Sequence, residues 1–334
     1  MTDRGQRGRA DRDCEDAIAD VSVVIVNWNG GAMLRRCLEH LSVQTLRPAV
    51  VWVVDNASSD GSAECVAEFP NCRLLAPGAN LGFAAGNNLA FRECTTEFVA
   101  SLNPDAFAES DWLAALLAAA EANPDCASFG SRQLVAERPE YLDGTGDAYH
   151  VSGLVWRERH GKLQQPEDLE ASEIFSPCAA AALYRRSALE AAGGFDESHF
   201  CYLEDVDLGF RLRLAGSRAL YVPDAVVCHV GSATSGGQHS DFALYHGHRN
   251  LVWTYVKNMP GVLFWLFLPA HILLNLVTIL VFAARGRGGV LLRAKRDALK
   301  GLPAMWVKRR AIQKRRRVSI GGIWRVLDKG LSRY

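Results

Sequence analysis

The sequence lacks a glycine-rich phosphate loop of either common kind. No G-x-x-x-x-G-K-[ST] occurs in its 334 residues, and the glycines of "GANLGFAAG" (78–86) are not spaced as G-x-G-x-x-G. If a nucleotide binds, its phosphates are not held by such a loop, and a divalent cation on one or two carboxylates is the alternative. Nine cysteines, at positions 14, 37, 65, 72, 94, 126, 178, 201 and 228, include no C-x-x-C pair. That removes the usual spacing of a zinc site. Their number is odd and several sit in apolar runs such as "VVCHV", so they read as reduced, mostly buried thiols of a cytosolic protein. Residues 1–20 are polar and charged, carry no apolar core of a leader, and read as a disordered tail. No internal repeat is present.

What is present begins with a hidden charge asymmetry. Lys+Arg and Asp+Glu both number 37, yet residues 285–334 hold 16 basic residues against two acids. The tail therefore carries an excess of 14 positive charges and the rest of the chain an equal negative excess. Such a tail seeks a polyanion, a membrane surface or nucleic acid. The acidic body offers no basic face, so no nucleic-acid partner is expected.

Along the chain, "VSVVIV" (21–26) and "VVWVV" (50–54) are continuous β-branched runs of strands buried on both faces. Between them Met33, Leu34, Cys37, Leu38 and Leu41 recur at helical spacing. Strand, helix and strand at this distance make a βαβ unit of a parallel sheet. "TTEFVASL" (95–102) predicts a third strand, 110–124 a helix, and 177–194 a strand running into a helix that stops at Gly193 and Gly194. Residues 143–162 read as loop and hairpin, and 219–231 as a strand pair.

Ligands of open α/β sheets bind beyond the carboxyl ends of the strands. Here the three strands are followed by "NWNG" (27–30), "DNASSDGS" (55–62) and "NPDA" (103–106). One Asn or Asp after a strand is ordinary turn chemistry; three at one sheet edge suggest a site, with Asp105 placed to hold Mg²⁺ beside a phosphate. A fourth cluster lies in "HFCYLEDVDLGF" (199–210). Leu203, Val206, Phe210 and Leu214 predict a helix over 203–215, with Glu204, Asp205 and Asp207 in its first turns. Acids suit a helix N-terminus by about 0.3–1 kcal/mol each, but these follow an aromatic run, where a carboxylate can act as general base. His229, after an apolar run, is either structural or a metal ligand.

Taken in order, "VSVVIVNWNG", "VVDNASSDGS", "NLGFAAGNN", "LNPDA", "GGFDE", "YLEDVDLGFRLRLAG" and "VPDAVVCHVG" resemble the family 2 glycosyltransferases, and among them bacterial rhamnosyltransferase-like members. The resemblance covers about 21–235. It implies an α/β GT-A fold, with a mostly parallel central sheet flanked by helices, and inverting sugar transfer from a nucleotide-diphosphate donor linked to dTDP, UDP or GDP. It implies that Asp55 and Asn56 meet the nucleotide, that Asn27, Trp28 and Asn29 line the base and ribose pocket, and that Asn80 and Asn87 help hold the donor. "NPD" stands where many members have Asp-x-Asp; Asn103 replaces the first acid, and Asp105 would bind Mg²⁺ or Mn²⁺ with His229 as second ligand. Asp205 matches the catalytic base, and Glu204 would orient the acceptor. A nucleotidyltransferase acting on sugar phosphates and a non-catalytic membrane scaffold are the rival readings. "NWNGGAMLRR" does not suit the first, which calls for a glycine-rich loop with an early basic residue.

The last part, 246–334, reads as membrane-associated helix and basic tail after a catalytic domain over 21–245. "GVLFWLFLPAHILLNLVTILVFAA" (261–284) is long and apolar enough to span a bilayer. Pro269, His271 and Asn275 interrupt it, and a crossing would put the basic tail opposite a cytosolic catalytic domain, against the positive-inside tendency. A helix in or dipping into the inner leaflet is favoured over a single span, with "KRRAIQKRRR" (308–317) on anionic lipid. That places the protein at the cytoplasmic face of the cell membrane, facing a glycan or lipid-linked acceptor. Between the two parts, Arg249 or His248 of "HGHRN" is a further phosphate contact to test.

Overall fold

A computed structural model describes residues 18–231 and 240–330. The sequence-predicted tail lies largely outside the described residues, and its last three residues, Ile18–Asp20, already belong to the first strand. In chain order the strands are β1 (Ile18–Asn27), β2 (Arg47–Asp55), β3 (Cys72–Leu75), β4 (Phe98–Leu102), β5 (Ala106–Ala108), β6 (Cys126–Val135), β7 (Arg138–Gly144), β8 (Asp147–Tyr149), β9 (Val155–Arg157), β10 (Ser172–Glu173), β11 (Ala181–Arg185) and β12 (Arg218–His229). The main sheet runs β10-β12-β6-β11-β4-β1-β2-β3, with β5 added to β12 and β7 to β6. β3, β2, β1 and β4 are parallel, as are β6 and β12, and β11 lies antiparallel between β4 and β6. β8 and β9 form a separate hairpin.

Five helices cover the sheet: α1 (Gly31–Ser42), α2 (Gly82–Phe91), α3 (Trp112–Ala122), α4 (Arg186–Ala192) and α5 (Glu204–Leu214). α1 and α3 close one face around Val23, Ile25, Leu34 and Trp112. α2, α4 and α5 close the other around Val24, Val99, Leu189 and Leu208. Because both faces are covered, β1 is apolar at consecutive positions rather than alternate ones. The α1 stripe of Leu34, Cys37, Leu38 and Leu41 is buried as its spacing predicts, and each buried leucine contributes about 1.5–3 kcal/mol.

Two sequence expectations change here. Residues 219–231 hold one strand, β12, not a pair; its register slips between Val222 and Val226, around Pro223, which has no N–H to give the ladder. The boundary between 245 and 246 falls inside a continuous helix, α6 (Asp241–Asn258). α6 joins the body to α7 (Gly261–Ala284), α8 (Gly288–Arg315) and α9 (Ile320–Val326). Their shared core includes Phe210, Tyr255, Met259, Phe264 and Met305, so the last helices are packed on the sheet-bearing half through α5.

Candidate active site

The strand ends gather the sequence-predicted residues into two groups. In the first, β1 and β2 are in register at Asn27 and Asp55. The Asn27 amide is fully buried and donates to Asp55 Oδ1 (3.1 Å), Ser58 Oγ (3.1 Å) and Ser62 Oγ (2.9 Å). It organises the loop after β2 from beneath. Asn29, at φ 52°, accepts from the Ser59 N–H (2.8 Å), while its own N–H donates to Ser58 Oγ (2.9 Å). Trp28 between them stays 39% exposed, its ring available to a ligand. Asn56 is buried and donates to Gly82 O (3.1 Å), and Asn80 is exposed and accepts from the Gly82 N–H (2.9 Å). Asn87 is buried in α2 with its amide on Phe83 O. Of these residues Trp28, Asn29, Asp55 and Asn80 keep accessible surface, whereas Asn27, Asn56 and Asn87 are internal struts.

The second group joins Asn103, Asp105 and His229. His229 Nε2 lies 3.3 Å from Asp105 Oδ1 and 3.3 Å from Asn103 Nδ2. Its Nδ1 lies 2.9 Å from Asp143 Oδ2. Burial works against a charged imidazole here, but the hydrogen bonds to Asp105 and Asp143 outweigh it and raise the His229 pKa to about 9. A carboxylate oxygen and an imidazole nitrogen at this separation have the spacing of neighbouring ligands on one ion with bonds of about 2.1 Å. Both side chains are buried and converge. They fit a divalent cation, with Asp143 orienting the imidazole from its other nitrogen, as carboxylates behind ligand histidines do.

Three residues that sequence reasoning passed over complete this group. Asp143 also accepts from Arg157 Nη1 (2.9 Å) and lies 3.4 Å from His160 Nδ1. Burial would raise its carboxyl, but the hydrogen bonds of His160 and His229 and the charge of Arg157 hold it well below the usual carboxylate range. Arg157 further donates to Cys178 Sγ (2.5 Å) and places Nε 3.7 Å from Asp147 Oδ1. The Asp147 carboxyl is pushed up to about 8, by burial first and then by the charge of Asp205.

Asp205 sits in the first turn of α5. Its Oδ2 accepts from the Ala179 N–H (3.1 Å) and its Oδ1 from the Val206 N–H (2.8 Å). One residue on, Ala180 O accepts from the Asn103 N–H (2.8 Å). The segment Cys178–Ala180 thus ties Asp205 to the Asn103–Asp105 turn. Glu204 is turned inward at 5% exposure, and burial together with Asp205 raises its carboxyl well above the usual range. Asp207 is neither of these: it is fully buried and bound by Lys257 Nζ (2.8 Å), Arg211 Nε (2.9 Å) and Asn258 Nδ2 (2.7 Å). Of the three acids of "LEDVD", Glu204 is buried, Asp205 is half-buried on two backbone N–H groups, and Asp207 is locked in a salt bridge.

The approach to Asp205 is strained. Phe200, Tyr202 and Leu203 all have positive φ, of 65°, 69° and 64°, at a cost of about 1–3 kcal/mol each. Asn250 of α6 holds this run, donating to His199 O (2.9 Å), Cys201 O (2.9 Å) and Tyr202 O (2.7 Å). Arg249 Nη2 donates to His199 O (2.8 Å) and Ser198 O (3.1 Å), so it braces this loop; His248 O accepts from Lys295. Gly82, at φ 80°, lies under Phe200, where a Cβ would come within 2.6 Å of the Phe200 carbonyl. Ala84 N–H donates to that carbonyl (3.1 Å).

A second cluster, Asp196, His199 and Asp207, brings ligand atoms within 4.8 Å of one another. The Lys257 ammonium already bonds both carboxylates, and burial lowers the His199 pKa to about 3. This is a neutralised buried ion cluster. A cavity of about 730 Å³ beside Phe91, Arg186 and Lys308 contains none of the strand-end residues. Eight described cysteines are free, six of them buried, as expected of reduced thiols.

Residues 22–193 match the model of Glycosyl transferase family 2. The chain is 34% identical over 236 residues to an N-acetylglucosaminyl-diphospho-decaprenol L-rhamnosyltransferase of Mycobacterium tuberculosis, covering 64% of this chain and 77% of that one. Among solved structures it superposes on GalNAc-T7 with UDP, GalNAc and Mn²⁺ (TM-score 0.58, 15% identity, 76% of this chain and 52% of that one). It also superposes on a mannosyltransferase from Pyrobaculum calidifontis in complex with GDP-Man and Mn²⁺ (TM-score 0.53, 20% identity, 91% and 87%). Both likenesses place the fold in the GT-A class. The chain belongs to glycosyltransferase family 2, as a rhamnosyltransferase-like glycosyltransferase.

Proposed function

We propose that this enzyme moves a sugar, with inversion, from a nucleotide-diphosphate donor to a hydroxyl of a lipid-linked or polysaccharide acceptor in cell-wall or surface-glycan synthesis, at the cytoplasmic face of the cell membrane. The observation that carries this reading is the step from Ala179 to Ala180, which ties Asp205 to the Asn103–Asp105 turn. The name of the Mycobacterium relative makes rhamnose the favoured sugar and a diphospho-lipid the favoured acceptor class.

The donor nucleoside lies against Trp28 and Asp55, with Asn29, Asn56, Asn80 and Asn87 shaping the loops around it. Asp105 and His229 would hold a divalent cation, Mn²⁺ or Mg²⁺, with Asn103 beside them. When bound, that cation supplies neutralisation of charge on the departing group. Asp205 accepts the proton of the acceptor hydroxyl as its oxygen attacks the anomeric carbon. The bond from that carbon to the diphosphate oxygen breaks, and the nucleoside diphosphate leaves with the electron pair. Such a single displacement needs one base, and Asp205 is a half-buried carboxylate held by two backbone N–H groups. Glu204, behind it, keeps the first turn of α5 in place for the acceptor.

The test is donor binding. Purified protein is titrated with dTDP-rhamnose, UDP-glucose and GDP-mannose, with and without Mn²⁺ or Mg²⁺, following thermal stability. One donor giving a metal-dependent rise supports the reading and names the nucleotide. No shift with any donor overturns it.

A further inference from the structure

α7 has a mean hydropathy of 2.2 over its most apolar window and is long enough to cross a bilayer. Its packing says otherwise. Only Leu263, Phe264 and His271 are buried. With half-buried positions 267, 268, 274, 275, 278, 279 and 282 they form one seam at helical spacing. Both ends of that seam rest on α6. Near the start, Tyr255 OH donates to Phe264 O (2.8 Å), and the Tyr255 ring stacks on His271 at 4.0 Å. Near the finish, the Phe282 ring meets His248 at 5.4 Å, and Ile279 and Phe282 pack with Leu244 and Leu291. α6 in turn is bonded to the body through Asn250 and Asn258.

The chain after α7 returns to the same place. Three residues separate the end of α7 from the start of α8. Lys295 Nζ donates to His248 O (2.8 Å), Trp253 Nε1 to Ala298 O (2.9 Å), and Arg309 Nη1 to Val256 O (2.8 Å). A helix with both ends held by one body cannot deliver its far end across a bilayer.

The outer side of α7 is apolar and open. Trp265, Leu266, Leu273 and Leu280 are 61–69% exposed. The basic turn Arg285–Arg287 follows α7 directly, and residues 285–334 carry an excess of 14 positive charges in sequence. Apolar surface bordered by cations is complementary to a leaflet with anionic headgroups.

We propose that α7 is a one-sided anchor: its outer side enters the acyl region of one anionic leaflet, while the Arg285–Arg287 turn and α8 stay on the catalytic side. The proposal rests on the glycosyl-transfer reading only for which leaflet is meant.

Full-length protein is floated with phosphatidylcholine vesicles and with mixed phosphatidylcholine–phosphatidylglycerol vesicles. Wild type co-floats with the mixed vesicles, and Leu273→Glu with Leu280→Glu reduces this about tenfold or more at unchanged melting temperature. Arg287→Cys gains labelling by an impermeant maleimide, over the wild-type cysteines, in inside-out vesicles and not in spheroplasts. Equal flotation of the double variant overturns the proposal, as does labelling from the spheroplast side. A wild-type dimer that the double variant dissociates, without vesicle binding, also overturns it and gives this surface to a second copy of the chain. Donor-induced thermal shifts read the other proposal separately: their loss with flotation intact overturns sugar transfer alone, and the converse overturns the anchor alone.

Discussion

His229 Nδ1 and Asp143 Oδ2 lie 2.9 Å apart, joining β12 to the end of β7 across 86 residues of sequence. This bond fixes which imidazole nitrogen faces Asp105. Asp143→Asn keeps the shape but removes the charge behind the imidazole. The expected result is a metal requirement raised by about 10–100-fold, with activity recovering at high Mn²⁺. A titration of transfer rate against metal checks it, and an unchanged half-saturation point would sink the orienting role.

Asp205→Asn removes the proposed base and leaves an amide oxygen for one of its two N–H partners. Turnover is expected to fall by about 10²–10⁴-fold, with donor-induced thermal shift unaltered. Equal loss of donor binding would make Asp205 a donor contact instead. Asp207→Asn is the contrast: it leaves Lys257 and Arg211 short of a buried partner, a loss of about 3–5 kcal/mol, visible as a lower melting temperature.

Asp147 ties stability to pH. Its carboxyl is raised to about 8 in the fold, by burial first, against 3.8 ordinarily. Between those values the folded state holds a proton that the unfolded state has released, so stability drops as pH rises from about 4 towards 8. Asp147→Asn removes that slope. Melting curves from pH 5 to 8 should fall less steeply for the variant; parallel curves would rule the effect out.

Asn250→Ala removes an amide whose two N–H protons are shared among three carbonyls of a loop held at positive φ. Each hydrogen bond is worth about 0.5–1.5 kcal/mol, and the strained turn is expected to relax. Stability and turnover should both fall, with the KM for acceptor rising while donor affinity holds. A loss of stability alone, with normal kinetics at low temperature, would confine Asn250 to folding.

Much of this was legible in the sequence because it is local. β1, β2 and α1 follow from apolar runs and helical spacing, and the start of α5 from the stripe through Val206 and Phe210. Asp105 and His229 stood out because each closes or follows an apolar run. Asp143, Asp147 and Arg157 did not, since they sit on short strands in a glycine-rich stretch where period-2 alternation has no length to develop. Their partners are distant in sequence, and no local pattern encodes such pairings. Asn250 is hidden for a similar reason: one amide in a helix, whose importance comes entirely from the loop it meets. The neighbouring Arg249, expected as a phosphate contact, is a brace on that loop.

The close packing of Gly82 beneath Phe200 bears on how members of such a family can diversify. The segment proposed to face the donor and the one leading to the proposed base are fitted to each other through Gly82 and the Phe200 carbonyl, so neither is an exchangeable cassette. A chimera spliced between residues 90 and 195 would pair two loops shaped for different neighbours, and recombination that changes donor preference must carry both halves together.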